Sequence, residues 1–337
     1  MPTILDVAKR AGVAPITVSR VINNSGYISQ ATRERVEAAV KELRYVPNTL
    51  ARGLRSKRTK TLALVVTDIT NPYFTLMARG VEDAAGASNY TVIYCNTDES
   101  EAKEENYANI LAQRQVDGVL LVPAGGKVKT IKFLLSNDIN VVVVDRRVSG
   151  VKIDSVQSDS EDGAYCLIKL LIELGHKRIV MITGHKDVST STDRVAGYRR
   201  AMVESGLGEN EQVYYGEFNQ QSGYELTKQA MMHSPKPTAI FGANNFIAIG
   251  IIQALRGFKI DVPGDVSVVA FDDLPESMLV SPFLTFAEQP AYEIGRVATE
   301  LLLKRISGEL SRGHQKLVLP TTIVQRESTG PNRKYSK

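Results

Sequence analysis

Apolar residues follow two different periods along this chain. Over the first 45 positions they recur three and four apart, in short stretches stopped by glycine or opened by proline, which is the period of amphipathic helices. The first predicted helix runs from Ile4 to Ala11, with Leu5, Val7 and Ala8 turned to a core and Gly12 as its stop. The second starts at Pro15, where a missing N–H is harmless, and runs to about Ile22 with Val18, Val21 and Ile22 inward. The third spans about Ala31 to Leu43, capped by Ser29, with Val36, Ala39, Val40 and Leu43 as its buried stripe. Two short helices around one glycine turn, followed by a third, predict a helix-turn-helix, whose second helix lies in the major groove of DNA.

From Leu62 onward the pattern changes to continuous apolar runs at 62–67, 91–95, 118–122, 140–144, 179–183, 213–216, 238–242 and 266–271. Amphipathic stretches alternate with them, as at 74–87, 105–114, 164–174 and 194–205. Uninterrupted Val/Ile/Leu strands separated by helices predict parallel sheets covered on both faces. The fold class is therefore α/β behind a helical head. A length of 337 residues calls for more than one core. Two α/β units fit, near 61–160 and 161–288, completed by 290–316 and 318–330 respectively. The head is placed at 1–46, a basic linker at 47–60 and a disordered basic tail at 331–337.

Charge sharpens this division. Residues 1–60 hold 12 basic and 4 acidic side chains, a net +8, leaving 29 basic and 33 acidic, a net −4, on the remainder. A basic head on a mildly acidic body points to a polyanion partner at one end only. The linker PNTLARGLRSKRTK puts Leu50, Ala51 and Leu54 at helical spacing among Arg52, Arg55, Lys57 and Arg58. A helix that short is marginal in water on its own.

Other chemistry is poorly represented. Cys95 and Cys166 stand 71 positions apart in no metal or redox spacing, as expected of buried thiols in a reducing cytoplasm. The four histidines are scattered, so neither a metal site nor a cofactor is expected. Pro123-Ala124-Gly125-Gly126-Lys127 lacks the first glycine and the Ser/Thr of a phosphate loop, and reads as a loop opening a helix. GxSxG and GxGxxG are absent, so an enzyme is not expected. Asp6, Lys9 and Arg10 interrupt any leader-like apolar segment, and no run reaches the length of a membrane span.

The head resembles the LacI/GalR family of bacterial transcriptional regulators. The matching residues are Asp6-Val7-Ala8, Ala11-Gly12-Val13, Thr17-Val18-Ser19-Arg20-Val21-Ile22-Asn23, Thr32-Arg33, Tyr45-Val46-Pro47-Asn48 and Ala51-Arg52-Gly53-Leu54. The resemblance runs to about residue 328. It implies a hinge helix in the linker and a type I periplasmic-binding-protein-like core of two subdomains. It also implies that Pro15, Ile16 and Arg20 meet base edges and that Thr17, Ser19, Asn23 and Tyr45 meet phosphates. Arg20 would take a guanine bidentately. Leu54 would wedge into the minor groove of a palindromic operator beside Arg52 and Arg55, as a homodimer pairs its hinge helices. Ala14 departs from the family's usual serine and removes a cap worth about 1 kcal/mol.

Open parallel sheets bind ligands beyond their strand C-termini. Polar and aromatic residues stand at such exits: Asn71, Tyr73 and Phe74 after the first strand, Asp145 and Arg146 after the fourth, then Phe218, Asn244 and Asp272, with Arg194 and Gln289 nearby. By resemblance these ten form a sugar site, in which Tyr73, Phe74 and Phe218 cover ring C–H faces. The polar members bond hydroxyls, which both donate and accept. Two arginines suit a sugar acid equally. Asn245 replaces an aspartate common in the family. The expected function is a sugar- or sugar-acid-controlled repressor, a dimer for want of a C-terminal heptad zipper. The rivals are control by a protein partner, as in carbon-catabolite regulators, a purine-type corepressor, and a plain solute-binding protein, for which residues 1–60 would have no use.

Overall fold

The computed structural model describes residues 2–46, 58–274 and 283–332. The chain divides into two compact units, 1–59 and 60–337.

The head contains α1 (Ile4–Ala11), α2 (Pro15–Ile22) and α3 (Gln30–Glu42). α1 starts on a reciprocal cap: the Asp6 N–H donates to Thr3 Oγ1 at 3.3 Å and the Thr3 N–H to Asp6 Oδ2 at 2.8 Å. It ends at Gly12 with φ +64°, a left-handed position natural to glycine. Val7, Ala8, Ala11, Val18, Val21, Val36 and Ala39 form the core, with Ile22, Val40 and Leu43 packed at its edge. Two expectations change. Leu5 is 63% exposed, because it lies on the face of α1 opposite Val7, Ala8 and Ala11. Ser29 precedes α3 but makes no cap; its hydroxyl donates to Thr32 Oγ1 instead.

The second unit holds two six-stranded sheets. The first comprises β1 (Thr61–Val66), β2 (Thr91–Asn96), β3 (Gly118–Leu121), β4 (Asn140–Val144), β5 (Asp154–Ser158) and, far along the chain, β11 (Lys316–Leu319). Their order is β11-β5-β4-β3-β1-β2, all parallel. The second comprises β6 (Ile179–Thr183), β7 (Gln212–Tyr215), β8 (Ala239–Gly242), β9 (Ser267–Phe271), β10 (Thr285–Glu288) and β12 (Thr322–Val324), in the order β12-β10-β9-β8-β6-β7. Of these described strands, only β12 runs antiparallel to its neighbour.

The unbroken apolar runs follow from two covered faces. Leu62, Leu64 and Val66 of β1 pack beneath α4 (Pro72–Ala87) and α11 (Ala291–Ser307), while Ala63 and Val65 point to α5 (Glu101–Gln113) and α6 (Lys129–Ser136). Four helices clothe the second sheet: α7 (Ser160–Glu173), α8 (Ser189–Glu204), α9 (Gln220–Met232) and α10 (Asn245–Gly257). α4 and α11 touch through paired glycines. A Cβ on Gly80 would lie 2.1 Å from the Tyr292 carbonyl oxygen, and one on Gly295 2.1 Å from that of Met77. Gly80→Val is expected to destabilise the core by about 3 kcal/mol, as overpacking against rigid backbone does; urea unfolding checks it.

Among the described residues the chain passes between the sheets three times, after β5, after β10 and after β11. β11 belongs to the first sheet, so the last passage falls beyond Leu319 rather than near 317. At the C-terminal end Asn332 is anchored: its N–H donates to the Leu174 carbonyl at 2.9 Å and its side chain to that of Gly175 at 3.2 Å. The expected free tail therefore does not include Asn332, and residues 333–337 lie outside the described residues. Cys95 is buried, which pushes its thiol up to about 11, whereas Cys166 is only half-buried.

Candidate functional site

On the head, α2 presents Pro15, Ile16 and Arg20 outward, with Ile16 47% exposed. Thr17 and Ser19 are half-buried beside them and Asn23 is exposed. The Asn23 amide donates to the Ser19 carbonyl at 2.7 Å and so closes the end of its own helix. Tyr45 packs partly against the head core. Ala14 leaves the start of α2 without a side-chain cap. Arg52, Leu54 and Arg55 lie outside the described residues.

In the core, all ten strand-exit residues line a single cleft of about 310 Å³ between the two sheets. That volume is at the small end of ligand pockets. Tyr73, Phe74, Asp145 and Arg146 come from the first subdomain; Arg194, Phe218, Asn244 and Asp272 come from the second. Asp145 and Asp272 both follow their strands with positive φ, +65° and +59°, a left-handed kink that aspartate tolerates better than most residues. A kink directly off a strand turns both carboxylates into the cleft. Thr67, Asp68, Asp98, Glu99, Thr190, Glu217 and Asn219 also line it. Sequence reasoning missed them, although Thr67, Asp68, Asp98 and Glu99 follow β1 and β2 and carry the same strand-exit signal.

The charged groups are arranged in layers. Arg146 is buried and forks onto Glu99, Nη1 to Oε2 and Nη2 to Oε1 at 2.6 Å each. Burial opposes its charge, but Glu99 and Asp145 hold its pKa above the ordinary value. Arg194 donates Nη1 to the Ala243 carbonyl at 2.5 Å and stacks 3.9 Å above the Phe271 ring. Burial pulls its pKa down, against the opposing pull of Asp272 and Asp145. Burial likewise raises Asp145, which accepts from the Tyr73 hydroxyl at 2.8 Å. Tyr73 itself is raised well above its usual range by burial and by Asp145, so it stays a donor. Gln289 links the walls, donating to Asp272 at 2.8 Å and accepting from Ser158.

Burial raises Asp272 to about 7, despite Arg194. Between pH 4 and 7 the folded chain therefore keeps a proton that the unfolded chain has lost, and this group makes stability fall as pH rises through that window. Asp272→Asn is expected to flatten the slope of melting temperature against pH between 4 and 7. A thermal-shift series in matched buffers checks this, and an unchanged slope counts against it.

The two subdomains are clasped at the cleft mouth. Asn71 and Asn245 exchange amide hydrogen bonds at 3.2 and 3.1 Å, and Asn245 also donates to the Asp273 carbonyl at 3.2 Å. The Arg147 N–H donates to Ser189 Oγ at 2.7 Å, and its guanidinium pairs with Asp193. Asn245 does not line the cleft; it joins the walls. Asn245→Asp would set a carboxylate against two acceptors and is expected to lower stability by about 1–3 kcal/mol, read as a drop in melting temperature at pH 8.

A helix-turn-helix joined in one chain to a two-sheet core with a polar cleft at its strand ends defines a DNA-binding regulator with a small-molecule-binding body. Residues 3–48 match the bacterial regulatory proteins of the lacI family, and residues 168–329 match the periplasmic binding protein-like domain. The HTH-type transcriptional repressor PurR of Photobacterium profundum is 34% identical over 331 residues, covering 97% of this chain and 98% of that protein. Among solved structures, the transcriptional regulator CelR in complex with cellobiose is 34% identical with a TM-score of 0.74, covering 97% of this chain and 100% of that one. The lac repressor dimer bound to operator and the anti-inducer ONPF is 28% identical with a TM-score of 0.85, covering 98% and 99%. The chain belongs to the lacI family of bacterial regulatory proteins. It is a DNA-binding transcriptional repressor and not an enzyme.

Among the described residues no helix is long and apolar enough to cross a membrane, and no cluster of His, Cys, Asp and Glu could hold a metal ion. Pro123–Lys127 is a loop ahead of α6, tied down where the Ala124 N–H meets Glu104 at 2.7 Å.

Proposed function

We propose that this repressor binds a palindromic operator as a homodimer in the cytoplasm, controls carbohydrate-utilisation genes, and is switched by a sugar or sugar-acid effector in the inter-subdomain cleft. The observation that carries the effector reading is the cleft lining: hydroxyl-matching donors and acceptors at strand exits of both subdomains, with Tyr73 and Phe74 on one side and Phe218 on the other. The cellobiose bound to the related CelR supports the same ligand class. On DNA, Pro15, Ile16 and Arg20 of the exposed α2 face read bases, while Thr17, Ser19, Asn23 and Tyr45 contact phosphates. Arg52, Leu54 and Arg55 act in the hinge at the operator centre, Leu54 as the minor-groove wedge. Because the cleft is built from both subdomains, an effector changes their relative closure and, through it, the pairing of two heads.

The test is a thermal-shift screen of the full chain against pentoses, hexoses, disaccharides, their acids and purines, followed by operator release. A ligand at 100 times its dissociation constant stabilises by about 2.7 kcal/mol. A sugar that shifts the melting temperature and alters operator affinity supports the reading. A purine that does so instead establishes the second reading, a corepressor-type member, which likeness to a repressor named PurR favours. No small-molecule response beside intact operator binding points to a protein partner.

A further inference from the structure

We propose that the cleft accepts an uncharged polyhydroxy effector and rejects its carboxylate and phosphate forms, with Glu99 as the residue that sets this preference. The inference rests on the sugar reading above and narrows it.

The two arginines would by themselves suit an acid. Their partners decide otherwise. Both terminal nitrogens of Arg146 are bound to Glu99, Nη1 also donates to the Pro123 carbonyl at 2.9 Å, and Nε faces Asp145 at 3.9 Å. The planar fork that grips a carboxylate bidentately is therefore taken by the protein's own carboxylate. Arg194 is 3% exposed, and its charge already faces Asp145 and Asp272, the latter holding its proton to about pH 7. Over the lining, Asp68, Glu99, Asp145 and Glu217 outnumber the two guanidinium groups, while Asp98 pairs with Lys103 and Asp272 holds its proton to about pH 7. An anion entering this cleft would lose its hydration and meet a surplus of like charge.

A hydroxyl meets no such penalty. It donates to Asp145 or Asp272 and accepts from an N–H. Three buried polar atoms of the lining, Arg146 Nε, Arg194 Nε and Thr67 Oγ1, have no hydrogen-bond partner among the described residues. All three suit a neutral hydroxyl, each Nε as a single donor and the threonine oxygen as donor or acceptor.

The test titrates the full-length protein calorimetrically with series of neutral sugars and their anionic counterparts: glucose, glucuronate and glucose 6-phosphate; ribose and ribose 5-phosphate; cellobiose and cellobionate, of which glucose and glucuronate are the pair nearest in size and shape. The neutral member of the series that binds is expected to bind on the order of a hundredfold or more tighter than its acid, the penalty of an unpaired buried charge. Glu99→Gln frees the Arg146 fork and is expected to raise affinity for the acid about tenfold, one charge-assisted hydrogen bond, with a smaller change for the neutral sugar. An acid or phosphate that binds the wild-type protein as tightly as its neutral counterpart overturns the proposal but leaves the sugar reading intact. If purines bind and no sugar of either charge does, the sugar reading falls and this inference falls with it. The wild-type series decides the matter even if Glu99→Gln fails to fold.

Discussion

Arg194→Met is expected to abolish the response to effector while leaving operator binding in place. The guanidinium is the central cation of the cleft. It stacks at 3.9 Å on Phe271, is held by the Ala243 carbonyl at 2.5 Å, and faces Asp145 and Asp272 from the second subdomain. Methionine keeps much of the stem but removes every donor, so effector affinity should fall at least about a hundredfold. The substitution also leaves two buried carboxylates without their shared cation, which costs about 3–5 kcal/mol when both are ionised. Asp272 already holds its proton to about pH 7, and loss of Arg194 pushes it and Asp145 higher. The variant's folded state then retains protons that its unfolded state has released, so the deficit in melting temperature should be small at pH 5 and large at pH 8. Thermal shifts at the two pH values, with and without the effector found by the screen, test both halves. A pH-independent deficit, or a normal effector response, would falsify the assignment.

Arg20→Ala is expected to produce the largest loss at the other end of the molecule. Arg20 is exposed on α2 one turn beyond Ile16, clear of the head core. A bidentate arginine–guanine contact is worth about 1–3 kcal/mol of discrimination, and two heads on a palindrome double it. The loss should concentrate at one base pair of each half-site, while log affinity against log salt changes slope by about one per head at most. Anisotropy titrations on a selected operator and its single-base variants separate this from Thr17→Ala or Ser19→Ala, which should weaken all sequences alike. Unfolding of the core should not change, since residues 60–337 form their own unit.

Some features were readable directly because they depend on neighbours in the chain. The three head helices follow from apolar spacing, Gly12 and Pro15. The sheet strands with unbroken apolar runs declare themselves because both faces are covered. β5 did not, since its sequence DSVQS is polar: Asp154 receives a two-pronged Arg305 at 2.6 and 2.9 Å from 151 positions away, and Ser158 serves Gln289. α10 was equally hidden, because FIAIGIIQAL is apolar on nearly every side and lacks a helical stripe. Leu5 misled for a related reason: periodicity says that a helix has an apolar face, but only packing against α2 and α3 says which residues form it.

The ten cleft residues illustrate the boundary. Strand-exit position follows from the alternation of strands and helices, so a reader of the chain can nominate Asn71, Asp145, Asn244 or Asp272. The sequence by itself determined the helix-turn-helix, the α/β character of the body with sheets covered on both faces, its charge asymmetry, and the side chains that collect at strand ends, because each is a local or periodic property. Tertiary structure alone decided which of those side chains remain available to a ligand. Arg146 is taken by Glu99, 47 positions away, and Asn245 is spent on Asn71, 174 positions away. Hydrogen bonds saturate, and a guanidinium has one fork. Which partner fills it depends on distances in space that no local pattern encodes.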